Sequence, residues 1–252
     1  MTRIFHRLTQ WLRGTRGALQ FLTILPLGKP IYEPRRMLPY FVPAGLAIGL
    51  LLCMTDVAAS WLWGPAVTAA VDILLLMLIT GGLHLDGVAD TGDGLFAHHP
   101  PQRALEVMKD SRVGAMGLAA VVATVLVKWS ALWELQHLRL ACLLLVPAFS
   151  RAAVAMAVHR LPYGRPEGGL GHPLFDTPVG VPDVAGLLAL SAIAMFMGGR
   201  GILLVAVFFV LVAGIVEFYR RRMGCITGDM MGALIEWTET GLFLAAAMTV
   251  GS

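Results

Sequence analysis

Seven apolar runs fill most of this chain, at about 40–63, 65–83, 113–133, 139–158, 183–198, 201–218 and 231–250. Segments carrying Pro, Gly or charge separate them. A run of about 20 apolar residues, wound as a helix, crosses the roughly 30 Å hydrocarbon core of a bilayer. Seven such runs leave little of a 252-residue chain to build anything else. Hydrophobic residues make up 57% and charged residues 14%, against about 45–50% and about 25% in soluble domains. The expected fold is therefore all-α: a polytopic membrane helix bundle of about seven transmembrane helices, in one domain over residues 1–252. The fifth run is the shortest and spans only with tilt or local bilayer thinning.

Ahead of the first run, residues 3–22 predict an amphipathic helix. Ile4, Leu8, Trp11, Leu12, Thr15, Leu19 and Leu22 share one arc, with Arg3, Arg7, Arg13 and Arg16 on the rest of the wheel. An Arg-rich face opposite Trp and Leu suits a helix lying in the membrane interface, against lipid. No short apolar core with a small-residue cleavage site follows it, so it does not read as a cleavable signal.

With the amino terminus in the cytoplasm and seven alternating spans, the inside segments hold fifteen of the nineteen lysines and arginines. The outside keeps Arg139 and Arg200, and Lys128 and Arg151 fall within spans. This is the positive-inside bias of inner-membrane proteins. Two inside loops are unusually long, 84–112 and 159–182. Cys53, Cys142 and Cys225 show no metal-binding spacing and read as small core residues. His84, His98, His99 and His172 lie in the inside loops without a partner at ligand spacing, and read as solvated or interfacial. Trp61, Trp63, Trp129 and Trp133 fall at outer span ends as an aromatic belt. Nothing in the charge pattern points to nucleic acid.

The acidic residues carry the chemistry. Gly81-Gly82-Leu83-His84-Leu85-Asp86-Gly87-Val88-Ala89-Asp90-Thr91-Gly92-Asp93-Gly94 places Asp86, Asp90 and Asp93 at i, i+4 and i+7, within about 60° of one another on a helix. Like charges so placed repel, and something positive must offset them. Hard oxygen ligands suit Mg²⁺, which bridges carboxylates and substrate phosphates. Gly87, Gly92 and Gly94 weaken a helix but let backbone approach a bulky ligand. Downstream, Lys109 and Arg112 are candidate phosphate ligands, or simply positive-inside anchors. Arg151 sits within the fourth run, and Glu236 and Glu239 within the seventh, with Asp229 just before it. Charges there face protein or a water-filled cavity; a structural ion pair with Arg151 is the plainer reading. The turn-rich loop 160–171 reads equally as an anion-binding lid or a connector. Asp56, Asp72 and Lys128 read as charges that pair or reach the interface.

These segments are similar to the cobalamin synthase (adenosylcobinamide-GDP ribazoletransferase) family. The run Gly81–Gly94, continued by Met108–Gly114, resembles its signature. Gln20–Pro26, Pro162–Gly168 and Thr227–Glu236 resemble further family segments in matching order, so the likeness spans nearly the whole chain. Gly92 stands where a residue such as Ala is expected, and Phe96-Ala97-His98-His99 replaces a more glycine-rich stretch. The resemblance implies a Mg²⁺-dependent phosphotransferase of the bacterial inner membrane. A hydroxyl of α-ribazole, or of its 5′-phosphate, attacks the diphosphate of adenosylcobinamide-GDP, and GMP leaves. Carried onto this chain, it assigns Asp86, Asp90, Asp93 and Asp229 to the metal, and Lys109, Arg112, Arg151 and Arg165 to substrate. Asp93 or Glu236 would be the general base. Two other readings share the sequence: a CDP-alcohol-type phosphotransferase with a lipid acceptor, and a transporter with charges along a pathway. Oligomeric state, a homo-oligomer included, is left open.

Overall fold

The structure is a computed structural model that describes residues 2–31, 37–165, 167–169, 171–176 and 180–248. Ten helices account for most of them: α1 (Thr2–Leu22), α2 (Phe41–Ser60), α3 (Pro65–Ile79), α4 (Leu83–Phe96), α5 (Pro101–Val107), α6 (Ala115–Glu134), α7 (Arg139–Val158), α8 (Val181–Met195), α9 (Gly199–Arg222) and α10 (Gly228–Ala246). Among the described residues there is no strand, only a single bridge between Tyr163 and Ile226. The all-α expectation holds.

Each of the seven apolar runs is a helix, but they are not seven equal spans. Four helices are long and apolar enough to cross a bilayer: α2 with the 3-10 turn that precedes it (Leu38–Ser60), α6, α7 and α9. The others fall short for physical reasons. α3 has only 15 residues, and the chain then turns by 88° into α4, so the pair counts at most as one broken span. The apolar part of α8 is short, Val184–Met195. α10 carries Asp229, Glu236 and Glu239. By length and composition alone the described helices give four spans, or five with the bent pair, short of the expected seven.

α7 forms the centre. Most of it is buried, and it packs against α2, α10, α8 and α9. α6 and α9 lie outside, with Leu118, Val122 and Leu126 on one and Ile202, Phe209 and Val210 on the other exposed. Large apolar side chains facing outward suit lipid and would be a liability in water. α1 is helical as expected and packs on α2 through buried Ala18 and Leu22, leaving Trp11 and Leu12 exposed. The side chains of Arg3, Ile4, Arg7 and Leu8, and all of Arg35 and Arg36, lie outside the described residues.

Two ion networks lock the bundle. Arg139 of α7 donates to Asp56 of α2 and Asp72 of α3, each at 2.7 Å. In the core, Lys128 of α6 reaches Glu236 and, at 2.8 Å, Glu239 of α10. Arg151 of α7 pairs with the other oxygen of Glu239, and Ser150 donates to that oxygen at 3.3 Å. Buried charges of this kind are retained when partners and hydrogen bonds satisfy them. Asp56, Asp72 and Lys128, read from sequence as charges that pair, do so.

Candidate active site

The Asp-rich start of the inside segment 84–112 is helix α4, as the i, i+4, i+7 spacing of its carboxylates predicts. Gly81 and Gly82 take positive φ (+62° and +74°) and make the sharp turn out of α3, a conformation that suits glycine. α4 then packs antiparallel against α10 at very close range. A Cβ on Gly87 would stand 2.5 Å from the Asp229 carbonyl oxygen, and one on Gly232 would stand 3.3 Å from the His84 Cα. The glycines let the acidic face of α4 approach the first turn of α10, where Asp229 sits. Thr227 caps that turn by accepting a hydrogen bond from the Met230 N–H at 3.3 Å.

Two loops close over this corner. Gly164 N–H donates to the Ile226 carbonyl at 2.9 Å, and Ile226 N–H to Pro162 at 3.0 Å. This pairing delivers Arg165 to Asp229, with which it forms an ion pair, and to the Met108 carbonyl at 3.4 Å. Lys109, just after α5, pairs with Glu167 of the 160–171 loop. The 160–171 segment is therefore more than a connector: it carries a cation onto the acidic cluster.

The electrostatics follow from crowding. Burial, and the nearby Asp229 and Asp86 carboxylates, push the Asp90 carboxyl up to about 7; Arg165 offsets part of this. Burial raises Asp229 as well, against the pull of Arg165. Asp86, Asp90 and Asp229 thus hold more negative charge than the one guanidinium beside them neutralises.

Other expected site residues sit elsewhere. Asp93 turns toward α6 and accepts the Gly114 N–H at 2.6 Å and the Gly117 N–H at 2.8 Å. It caps that helix, so the oxygens expected to bind metal or take a proton already have partners. Glu236 is buried, as expected, but not alone: Lys128 holds it. Arg151, expected at the diphosphate, is 1% exposed and tied to Glu239. Arg112 is exposed and paired with its neighbour Asp110. Among the described residues, no three His, Cys, Asp or Glu side chains are gathered tightly enough to hold a metal ion by themselves.

Two spaces flank the cluster. A cavity of about 400 Å³ lies between α1, α2, α4, α10 and the 163–174 loop, with Asp229 and Arg165 on its wall and Phe21, Phe41, Met231 and Ile235 among its apolar residues. A larger, more open groove of about 780 Å³ is lined by Asp86 with Met77, Val113, Leu118 and Val121. Gln20, Phe21 and Leu83 border both. Gln20 earns its place locally: it donates to the Gly28 and Lys29 carbonyls, each at 3.2 Å, and accepts the Ile31 N–H at 2.8 Å, folding the chain after α1 back over the corner.

His84 is the residue the sequence misplaced. It is not solvated but 2% exposed, lining the smaller cavity, with Nδ1 buried and unpartnered. Burial, reinforced by the field of Arg151, pulls its pKa down to about 3, so the ring is neutral. In the sequence it stands between Leu83 and Leu85 at the edge of the acidic segment, and only the packing of Gly232 against it reveals the burial.

Known proteins match the chain along nearly its full length. The family described as Cobalamin-5-phosphate synthase matches residues 14–247. An adenosylcobinamide-GDP ribazoletransferase of Syntrophobacter fumaroxidans is 38% identical over 91% of this chain and 96% of its own length. Proteins of the same name from Stutzerimonas stutzeri and Desulforamulus reducens are 38% and 33% identical, over 93% and 89% of this chain and 97% and 92% of their own lengths. No solved structure matches. With Asp86, Asp90, Arg165 and Asp229 brought to one corner of an all-helical membrane bundle, and with family and relatives agreeing across the length, the chain belongs to the Cobalamin-5-phosphate synthase family.

Proposed function

We propose that this protein is a Mg²⁺-dependent adenosylcobinamide-GDP ribazoletransferase of the bacterial inner membrane, with its amino terminus and its site on the cytoplasmic side. A hydroxyl of α-ribazole, or of its 5′-phosphate, attacks the diphosphate phosphorus that carries the cobinamide. A new P–O bond forms, the bond to the bridging oxygen breaks, GMP leaves, and the hydroxyl proton passes to a carboxylate of the acidic corner. The product is adenosylcobalamin or its 5′-phosphate. The names of the relatives supply the substrates; the acidic corner supplies the means.

The observation that carries this reading is the gathering of Asp86, Asp90 and Asp229 around the single guanidinium of Arg165, where burial and the crowded carboxylates raise Asp90. Mg²⁺ takes one or two carboxylates and fills its remaining sites with water and substrate phosphates. A corner with few converging carboxylates beside an open groove fits that habit. Asp90 and Asp229, with Asp86 facing the groove, would hold the ion, which when bound neutralises diphosphate charge. Arg165 is placed to exchange its contact with Asp229 for a phosphate oxygen as the leaving group gains charge. Lys109, on the adjoining loop, adds a second cation at the rim. Arg151 supports the site from behind by fixing α10 through Glu239. The orientation rests on the positive-inside reading of seven alternating crossings, which needs α8 and α10 to cross along with the longer helices, and the apolar groove walls let a corrinoid approach along the membrane surface.

The test is GMP release by the purified protein in liposomes given adenosylcobinamide-GDP, α-ribazole and Mg²⁺. Release that EDTA abolishes, with no turnover of a CDP-linked alcohol, is expected. Turnover of the CDP-alcohol with a lipid acceptor, and none of the corrinoid, would replace this reading with the lipid one.

A further inference from the structure

The smaller cavity holds a buried imidazole that no mechanistic role accounts for. Among the described residues nothing hydrogen-bonds the buried Nδ1 of His84. Buried polar groups in folded proteins are nearly always paired, and an orphan asks for a partner that arrives later. His84 lies about one helical turn from Gly87, and Gly87 touches Asp229, so the ring stands deeper than the acidic corner. Around it the wall is apolar: Leu83, Val154, Met231, Ile235 and Phe21.

That shape selects between the two substrates of the proposed reaction, on which this inference rests. A half-enclosed, mostly apolar space of about 400 Å³ suits a ligand of nucleoside size. A corrin with its nucleotide tail is far larger and needs the open groove. Ribazole is a benzimidazole ribonucleoside: a flat apolar heterocycle whose only polar edge atom is the unsubstituted ring nitrogen, an acceptor. Once buried, that nitrogen needs a donor, and the ribose hydroxyls need to reach the acidic corner. We propose that the cavity seats the benzimidazole nucleoside, with the His84 imidazole donating a hydrogen bond to the unsubstituted ring nitrogen and the ribose directed toward Asp229 and Arg165. The two substrates then enter from opposite sides of Leu83 and meet at Asp86, Asp90 and Asp229.

The test compares α-ribazole with its indole counterpart, in which that nitrogen is CH, in the liposome assay of GMP release. A site built to pair a polar atom rejects the analogue lacking it. The wild type is expected to prefer ribazole by about tenfold or more in kcat/KM, mainly through KM. His84→Leu is expected to bring the ratio between the two nucleosides to about one, and His84→Gln, which retains a donor, to restore part of it. A wild type that does not discriminate overturns the inference without any variant, and so does a His84→Leu protein that keeps the wild-type ratio or loses both nucleosides equally. Failure of the wild type to turn over ribazole at all would instead remove the ribazole reading.

Discussion

At the level of single residues, the site is a problem of uncompensated charge. Asp90 holds a proton up to about pH 7 because it is buried and because Asp229 and Asp86 crowd it. A bound cation must displace that proton. Apparent Mg²⁺ affinity is therefore expected to rise with pH, by about tenfold per unit for one proton displaced, and to level off above about 7. Calorimetry of metal binding between pH 5.5 and 8.5 checks the slope; a flat profile would separate Asp90 from the metal. Lys128 makes the opposite case, a charge held for structure. Lys128→Met leaves Glu236 buried without a cation and is expected to cost about 3–5 kcal/mol, visible as a lower Tm in detergent. The charged residues were legible in the sequence because charge in an apolar run must have a reason. Their partners were not. The resemblance gives Arg151 to substrate and Glu236 to a general base, but α6, α7 and α10 together tie both into ion pairs, and the packing of Gly232 buries the His84 that reads as solvated.

At the level of elements, the decisive contact is α4 against α10. Gly87→Ala would place a Cβ 2.5 Å from the Asp229 carbonyl, and neither backbone can yield locally. The helices must separate, at a cost of about 1–3 kcal/mol, and GMP release is expected to fall by about tenfold or more. Gly214→Ala in α9, where a Cβ meets nothing within 4 Å, is the control and should leave Tm and turnover within error, or raise Tm slightly. The carboxylate spacing i, i+4, i+7 announced a helical face, and α4 is that helix. What the spacing did not tell was that a 60° face can be divided. Asp93 turns to the N-terminus of α6 while Asp90 faces Asp229, because α4 lies between those two helices. The 160–171 loop was equally opaque: its turn residues fit a lid or a connector, and only the pairing of Gly164 with Ile226 brings Arg165 into place.

For the whole molecule, hydropathy alone made the all-helical bundle legible, because only closed hydrogen-bonding within each segment survives in lipid. The number of crossings was not legible in the same way. Apolar run length does not register the 88° turn after α3 or the charge load of α10. The proposed orientation has its own check. With Cys53, Cys142 and Cys225 replaced by Ser, Gln136→Cys between α6 and α7 is expected to react with an impermeant maleimide in spheroplasts, and Gln102→Cys in α5 only after lysis. The reverse pattern would put the acidic corner on the wrong side. The central claim, that the corner formed by α4 and α10 carries the transfer, is tested most directly by GMP release from Asp90→Asn in liposomes with both substrates and Mg²⁺. A folded, inserted protein with turnover lowered by about a hundredfold to a thousandfold, as expected for removal of an electrostatic group from such a site, is the predicted result. Turnover equal to the wild type would contradict the account.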